Sequence, residues 1–199
     1  MPSPSLARQW GDEPLSAHAY LAGELYSPIK HELIAGIAYA MAGASVNHNR
    51  LVANVARTLG NHLDATPCEP FVADMKLKVN QDFFYPDLLV VCNDLSAQEY
   101  YTENPIIIVE VLSKTTRRTD QTLKRHAYQS LASLQEYMLI EQDFVDVEVC
   151  RRSTHWQSEH YYLGDTVQLA AIELAVTVAT LYARVQNEDM RAWLAEASE

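Results

Sequence analysis

The residues best suited to chemistry fall in one stretch, from Phe84 to Lys124. Tyr85-Pro86-Asp87 leads into the apolar run Leu-Leu-Val-Val-Cys. Asn104-Pro105 leads into Ile-Ile-Ile-Val-Glu110-Val-Leu-Ser, and a polar turn then precedes Thr119-Asp120-Gln-Thr-Leu-Lys124. Runs of Val, Ile and Leu bounded by turn residues read as strands buried on both faces. A carboxylate in such a strand is costly to desolvate, and it persists where it is paired, hydrogen-bonded or bound to a cation. Asp87 and Glu110, with Lys124 close by, therefore make a candidate catalytic site for a divalent metal and an attacking water. Asp87 and Glu110 would bind Mg²⁺ or Mn²⁺, with the Val111 carbonyl as a neutral addition. Lys124 would orient the water and stabilise developing charge. Asp120 lies four residues ahead of Lys124, on the same helical face and in the favourable acid-then-base order. It would hold the lysine in place or become a further ligand. The plainer alternatives are a strand-start cap for Asp87, a buried ion pair of Glu110 with Lys124 or Arg125, and a surface pair for Asp120 and Lys124.

These residues need elements to position them. Ser16 can cap a short helix to about Glu24. Lys30–Met41 alternates around Ala35-Gly36 and predicts a hairpin with Glu32 in its first strand. Ser45 to Asp64 predicts a helix, with Leu51, Val52, Val55, Leu59 and Leu63 on one buried face. His48 sits in its first turn, where the helix dipole favours the neutral imidazole. Glu69–Val79 predicts one strand with Lys76 and Lys78 opposite Val72, Leu77 and Val79. Asp74 and Lys76 could face the site or solvent, and alternation favours solvent, while Tyr85–Cys92 predicts the next strand. Asn93–Asn104 reads as a polar connection and Pro105–Leu112 as a third strand. Asp120–Leu131 predicts a helix. Strands are expected at Gln135–Glu141, Phe144–Arg151, His155–Tyr162 and Thr166–Ile172, followed by a helix from Ile172 to Val185.

Pro86-Asp87 on one strand, Glu110-Val111-Leu112-Ser113 on the next, and Asp120 with Lys124 on a helix resemble the Uma2 family of the PD-(D/E)xK nuclease superfamily. The resemblance runs from about Ser16 to Val149. It implies an α/β fold with a restriction-endonuclease-like core. That core is a mixed central sheet flanked by helices, here with an N-terminal hairpin and extra C-terminal strands. It also implies an endonuclease activity that depends on Mg²⁺ or Mn²⁺. The superfamily pattern places lysine two residues after the acid, where this chain has Leu112, and the resemblance implies that Lys124 has taken over that role. Many superfamily members carry a metal-assisting glutamate on the preceding helix. This helix has none before Asp64, so the role is empty or falls to His48 or Glu32.

At 199 residues the chain fits a flexible leader over 1–14 and one domain over 15–199. No apolar run approaches the length of a membrane span, and no signal peptide is evident. The three cysteines show no paired metal spacing, and a reduced, cytoplasmic setting is the simplest expectation. A net charge of −11 argues against a nucleic-acid coat protein. It leaves room for a local basic patch, and Lys114, Arg117, Arg118 and Arg125 cluster beside the proposed site as candidate nucleic-acid contacts. Their plainer reading is a solvated helix start. DNA is the expected partner, and cutting both strands of a duplex favours a two-fold homodimer. Two other readings compete. One is a catalytically silent module binding nucleic acid or a protein. The other is a serine hydrolase at Ser113, which lacks the Gly-x-Ser-x-Gly elbow.

Overall fold

The alternation over Glu69–Val79 predicts one strand, and the structure has two, in different sheets. The computed structural model describes residues 14–93, 98–114 and 116–196, so residues 1–13 of the expected leader lie outside the described residues. Helix α1 (Ala17–Glu24) is capped by the Ser16 hydroxyl, which accepts from the Ala19 amide. Strands β1 (His31–Ile34) and β2 (Ile37–Ala40) form the expected hairpin. Its two turn residues, Ala35 and Gly36, both have positive φ, as a tight two-residue hairpin turn requires. A Cβ on Gly36 would come within 2.9 Å of the Pro14 Cβ, so the turn also needs a glycine for space. Helix α2 (Val46–Leu63) starts at a Ser45 cap.

Strand β3 (Cys68–Val72) ends at a turn through Asp74, whose φ of 126° breaks the strand. Strands β4 (Lys76–Val79) and β5 (Asp82–Phe84) then form a hairpin beside β1. Tyr85-Pro86-Asp87 carries the chain out of that sheet and into β6 (Leu88–Cys92). Proline has no amide to give a ladder, which suits it to a crossing point. Strand β7 (Tyr101–Thr102) lies within the expected polar connection and runs parallel to β4. Strand β8 (Pro105–Leu112) is central to the larger sheet, antiparallel to β6 and parallel to β9 (Glu136–Glu141). Between them runs a composite helix, 117–129. It comprises α3 (Arg117–Thr119), a π-helical turn (Asp120–Lys124) and α4 (Arg125–Gln129).

The larger sheet has the order β11-β10-β9-β8-β6-β3, with β10 at Val147–Arg151 and β11 at Ser158–Tyr161. The period of two along β8 divides its side chains between two cores. Ile107, Val109 and Val111 pack with Leu51, Val55 and Leu59 of α2. Ile108 and Leu112 face the other way, toward Leu77, Phe84, Tyr128 and Tyr137. Glu110 lies between Ile108 and Leu112 in that second face, where the small sheet (order β2-β1-β5-β4-β7) and helix 117–129 close over it.

The C-terminal region departs from expectation. The apolar run from Ile172 predicts a helix to Val185. Instead β12 (Thr166–Leu169) pairs with β13 (Leu174–Thr177), and only α5 (Val178–Leu181) is helical before α6 (Glu188–Glu196). Glu173 at positive φ supplies the turn. The Thr177 hydroxyl then accepts from the Thr180 amide and starts the short helix. The cysteine expectation is also corrected. Cys68 and Cys92 stand directly opposite each other in β3 and β6 and are joined by a disulfide, which leaves Cys150 as a buried free thiol. Protein purified without reductant, denatured and treated with iodoacetamide should therefore take up one label per chain, at Cys150. Three labels would show that the bridge does not form.

Candidate active site

The ammonium of Lys124 is enclosed by carboxylates from three elements. Its Nζ lies 2.9 Å from Glu32 Oε1, 3.2 Å from Glu110 Oε1 and 3.2 Å from Asp120 Oδ1. Lys124 is only 6% exposed, Glu110 and Asp120 are more deeply buried still, and Glu32 is nearly as buried. Glu32 comes from β1 of the small sheet, Glu110 from β8 of the large sheet, and Asp120 from the π-helical turn. That turn closes with the Arg125 amide donating to the Asp120 carbonyl. The same carbonyl accepts from the Tyr137 hydroxyl at 3.1 Å, which fixes the turn against β9. π-Helical turns inside α-helices are frequent at functional sites. Glu32 Oε1 also accepts from the Tyr85 amide at 3.1 Å, and Glu110 Oε1 from the buried Tyr128 hydroxyl at 2.9 Å.

Burial holds the Glu110 carboxyl well above the usual carboxylate range. Lys124 pulls it down, and Asp120, Asp87 and Glu32 push it up further. Burial also raises Asp120, against the pull of Lys124. Burial alone would lower Lys124, but Glu110, Glu32, Tyr128 and Asp120 together raise it well above an ordinary lysine, so the ammonium is held protonated. The cluster thus has more negative groups than its one cation neutralises.

Asp87 sits immediately before β6, at the crossing between sheets. Its Oδ2 accepts from the Val111 amide at 2.7 Å, which fixes it beside Glu110. Its Oδ1 lies 3.2 Å from His48 Nε2. The Ser45 cap sets the start of α2 and so aims that imidazole, since its hydroxyl accepts from the His48 amide at 3.0 Å. Six of the residues singled out by sequence (Glu32, His48, Asp87, Glu110, Asp120 and Lys124) therefore meet around one seam between the sheets.

The basic candidates divide. Arg117 forms a two-point pair with Glu141, at 2.5 Å on both contacts, and also reaches Asp143. Arg125 pairs with Glu148 at 2.5 Å. Lys114 and Arg118 are exposed and pair with no carboxylate among the described residues. Ser113 belongs to a turn, its hydroxyl accepting from the Thr116 amide at 3.2 Å. Lys76, expected at the solvent face, is instead buried against the ring of Tyr85. Lys78 pairs with Glu103 at 2.7 Å.

Residues 13–180 match the model of Uma2, a family described as a putative restriction endonuclease. The chain belongs to the Uma2 family. Two uncharacterised proteins of Synechocystis sp. are similar over most of their length. One, slr1290, is 31% identical over 174 residues, covering 84% of this chain and 91% of its own. The other, sll1609, is 36% identical over 148 residues, covering 72% of this chain and 80% of its own. The fold matches the crystal structure of a putative nuclease of DUF820 from Anabaena variabilis. The TM-score is 0.70 at 16% identity, with 87% of this chain and 100% of that chain covered. The restriction-endonuclease-like α/β fold implied by the sequence is therefore the fold of this Uma2 chain.

A divalent cation fits the donor set of this Uma2 site. Among the described residues, no three Asp, Glu, His or Cys side chains form a ready-made cage. Mg²⁺ does not need one, because it keeps several waters and binds through one or two carboxylates plus substrate oxygens. Asp87 and Glu110 would supply two such carboxylates, and a cation there would favour the charged form of Glu110 against the burial, and the smaller repulsion from Asp120, Asp87 and Glu32, that raise it.

The energetic role of Lys124 can be tested apart from any activity. Removing one partner of a buried ion pair costs about 3–5 kcal/mol. Lys124→Met should lose about that much at pH 8. Without the cation, Glu110 and Asp120, already raised by burial, bind protons more tightly in the folded state than in the unfolded chain. The loss should therefore shrink as pH falls toward the carboxylate range. Glu110→Gln leaves Lys124 with Glu32 and Asp120 and should cost far less at pH 8. Urea unfolding at pH 8 and pH 5 reads both. A Lys124→Met loss that is equal at the two pH values would contradict the charge account.

Proposed function

We propose that this chain is a metal-dependent endonuclease that hydrolyses phosphodiester bonds in DNA by a metal-activated water. The observation that supports this best is the crowding of Glu32, Glu110 and Asp120 around the ammonium of Lys124, with Asp87 held beside Glu110 by the Val111 amide, at the seam of a nuclease fold. Such a surplus of buried carboxylates is poor design for stability and suits a site that takes a cation and then a phosphate.

Asp87 and Glu110 would hold Mg²⁺ or Mn²⁺, which when bound lowers the pKa of a coordinated water and neutralises phosphate charge. The Val111 amide keeps Asp87 in position for this, and His48 steadies its other oxygen. Tyr128 orients Glu110. Lys124 has its N–H groups directed at three acids. Once Glu110 is committed elsewhere, one N–H is free to face the attacking water and the phosphate oxygens. Glu32 and Asp120 keep the ammonium charged and in place meanwhile. The exposed Lys114 and Arg118, at the start of the composite helix, are the basic residues left to meet the phosphate backbone. Two copies related by a two-fold axis would cut both strands of a duplex. Phe144 and Trp193, large apolar side chains left exposed, are candidates for the surface of that pairing.

Cleavage of supercoiled plasmid, single-stranded DNA and RNA by purified protein in Mg²⁺ or Mn²⁺ tests the reading. The parent should cut DNA, and either metal should raise its melting temperature, because a ligand specific for the folded state stabilises it. Asp87→Asn should abolish both effects and leave the fold intact. Lys124→Arg keeps a charge in the cluster but is too broad to act as a compact point charge, so turnover should fall by about 100-fold or more while the metal-induced shift survives. Lys78→Ala should cut like the parent. A parent that cuts nothing in any metal, with no thermal shift, would replace this reading with a silent binding module.

A further inference from the structure

The buried Lys76 is the feature that the acid cluster does not explain. It is 6% exposed at the start of β4, and among the described residues no carboxylate forms an ion pair with it. Its Nζ lies 5.2 Å from the centroid of the Tyr85 ring and 6.0 Å from that of Tyr100. Glu24 is the acid whose field reaches it, but the oxygens of Glu24 are engaged. Oε1 accepts from the His31 amide at 2.7 Å and the Tyr85 hydroxyl at 3.2 Å, while Oε2 lies 3.0 Å from His31 Nδ1. Burial lowers the ammonium's pKa, the cost of a desolvated cation without a counter-ion.

Lys76 lines a cavity of about 360 Å³ between α1 and the loop leading into β7. That volume is at the small end of ligand sites, which run about 300–1,000 Å³. Leu21 and Ala22 of α1, with Leu25 just after it, form an apolar wall, and the half-exposed Tyr100 ring forms another side beside the Glu99 carboxyl. A cation beside an aromatic face is the pairing by which proteins hold single-stranded nucleic acid, the charge meeting the backbone and the ring meeting a base. Tyr85 joins this cavity to the acid cluster. Its ring packs on Lys76, while its backbone amide donates to Glu32, which holds Lys124.

We propose that the cavity under α1 is a nucleotide subsite that takes one unpaired nucleotide, with its phosphate against Lys76 and its base between Tyr100 and the apolar face of α1. This rests on the nuclease reading, since the nucleotide would belong to a strand that also crosses the acid cluster. It also names the substrate form: a strand with at least one nucleotide out of the duplex stack next to the cleavage point.

Binding of deoxyadenosine monophosphate, deoxyadenosine and inorganic phosphate to the full chain in EDTA, read by isothermal titration calorimetry, tests the subsite without any turnover. The nucleotide should bind at least tenfold more tightly than either fragment. Lys76→Met should weaken it at least tenfold and leave deoxyadenosine unchanged, whereas Tyr100→Ala should weaken both. Removing an unpaired buried charge should not lower the melting temperature of Lys76→Met, and Lys76→Gln serves if that variant fails to fold. Asp87→Asn should bind the nucleotide like the parent. Equal nucleotide affinity in parent and Lys76→Met, phosphate binding as tight as the nucleotide, or no nucleotide binding at millimolar concentration would each overturn the subsite. A parent that binds the nucleotide but cuts nothing would overturn the nuclease reading and leave the subsite standing.

Discussion

The enclosure of one ammonium by three carboxylates organises this molecule. Glu32, Glu110 and Asp120 come from the small sheet, the large sheet and the composite helix, and Lys124 touches all three. Neither sheet buries its acid safely alone. A carboxylate in a dry interface without a cation would neutralise or force the interface open. The lysine makes the closure of one sheet over the other tolerable, and the hydroxyls of Tyr128 and Tyr137 hold the parts in register. The arrangement is a compromise in energy. Apolar residues of the same volume would pack at no such electrostatic cost.

That cost makes sense if the site exists to be completed. Asp87 adds a fourth acid at the edge of the cluster, held by a β8 amide and a histidine from α2. The groups therefore come from β1, α2, the start of β6, β8 and the composite helix, and contacts between these elements fix them. Such a site would be preorganised for the proposed hydrolysis: its charges are in place before any substrate arrives, so little reorganisation would be needed when charge develops. The same economy appears at Tyr85. One residue at the crossing between sheets supplies a backbone donor to the acid cluster and a ring to the cavity under α1.

Much of this was legible in the sequence, for identifiable reasons. Val, Ile and Leu runs interrupted by single acids marked β6 and β8, and the helical spacing of Leu51, Val55, Leu59 and Leu63 marked α2. Glu110 was legible because a charged residue in an otherwise continuous apolar strand demands a partner. The two changes of sheet were not. Asp74 at positive φ breaks what alternation presents as one strand, the proline at 86 stands at the second crossing, and the pattern carries no information about which sheet a strand joins. Lys76 was misplaced for that reason, since its neighbours Met75 and Leu77 suggest a half-wet strand. The pairing of Cys68 with Cys92 depended on the register of β3 against β6, which spacing does not reveal. The ribbon of β12 and β13 was hidden because its apolar residues also suit a helix. Only the left-handed turn at Glu173 decides between them.

Anomalous diffraction from a crystal soaked in Mn²⁺ tests the central claim most directly. The account predicts one strong manganese peak beside the carboxylates of Asp87 and Glu110, with the Lys124 ammonium still held by Glu32 and Asp120. A peak elsewhere, or none at Asp87 and Glu110 at millimolar Mn²⁺, would mean that the acid cluster is a structural ion network and not a hydrolytic centre.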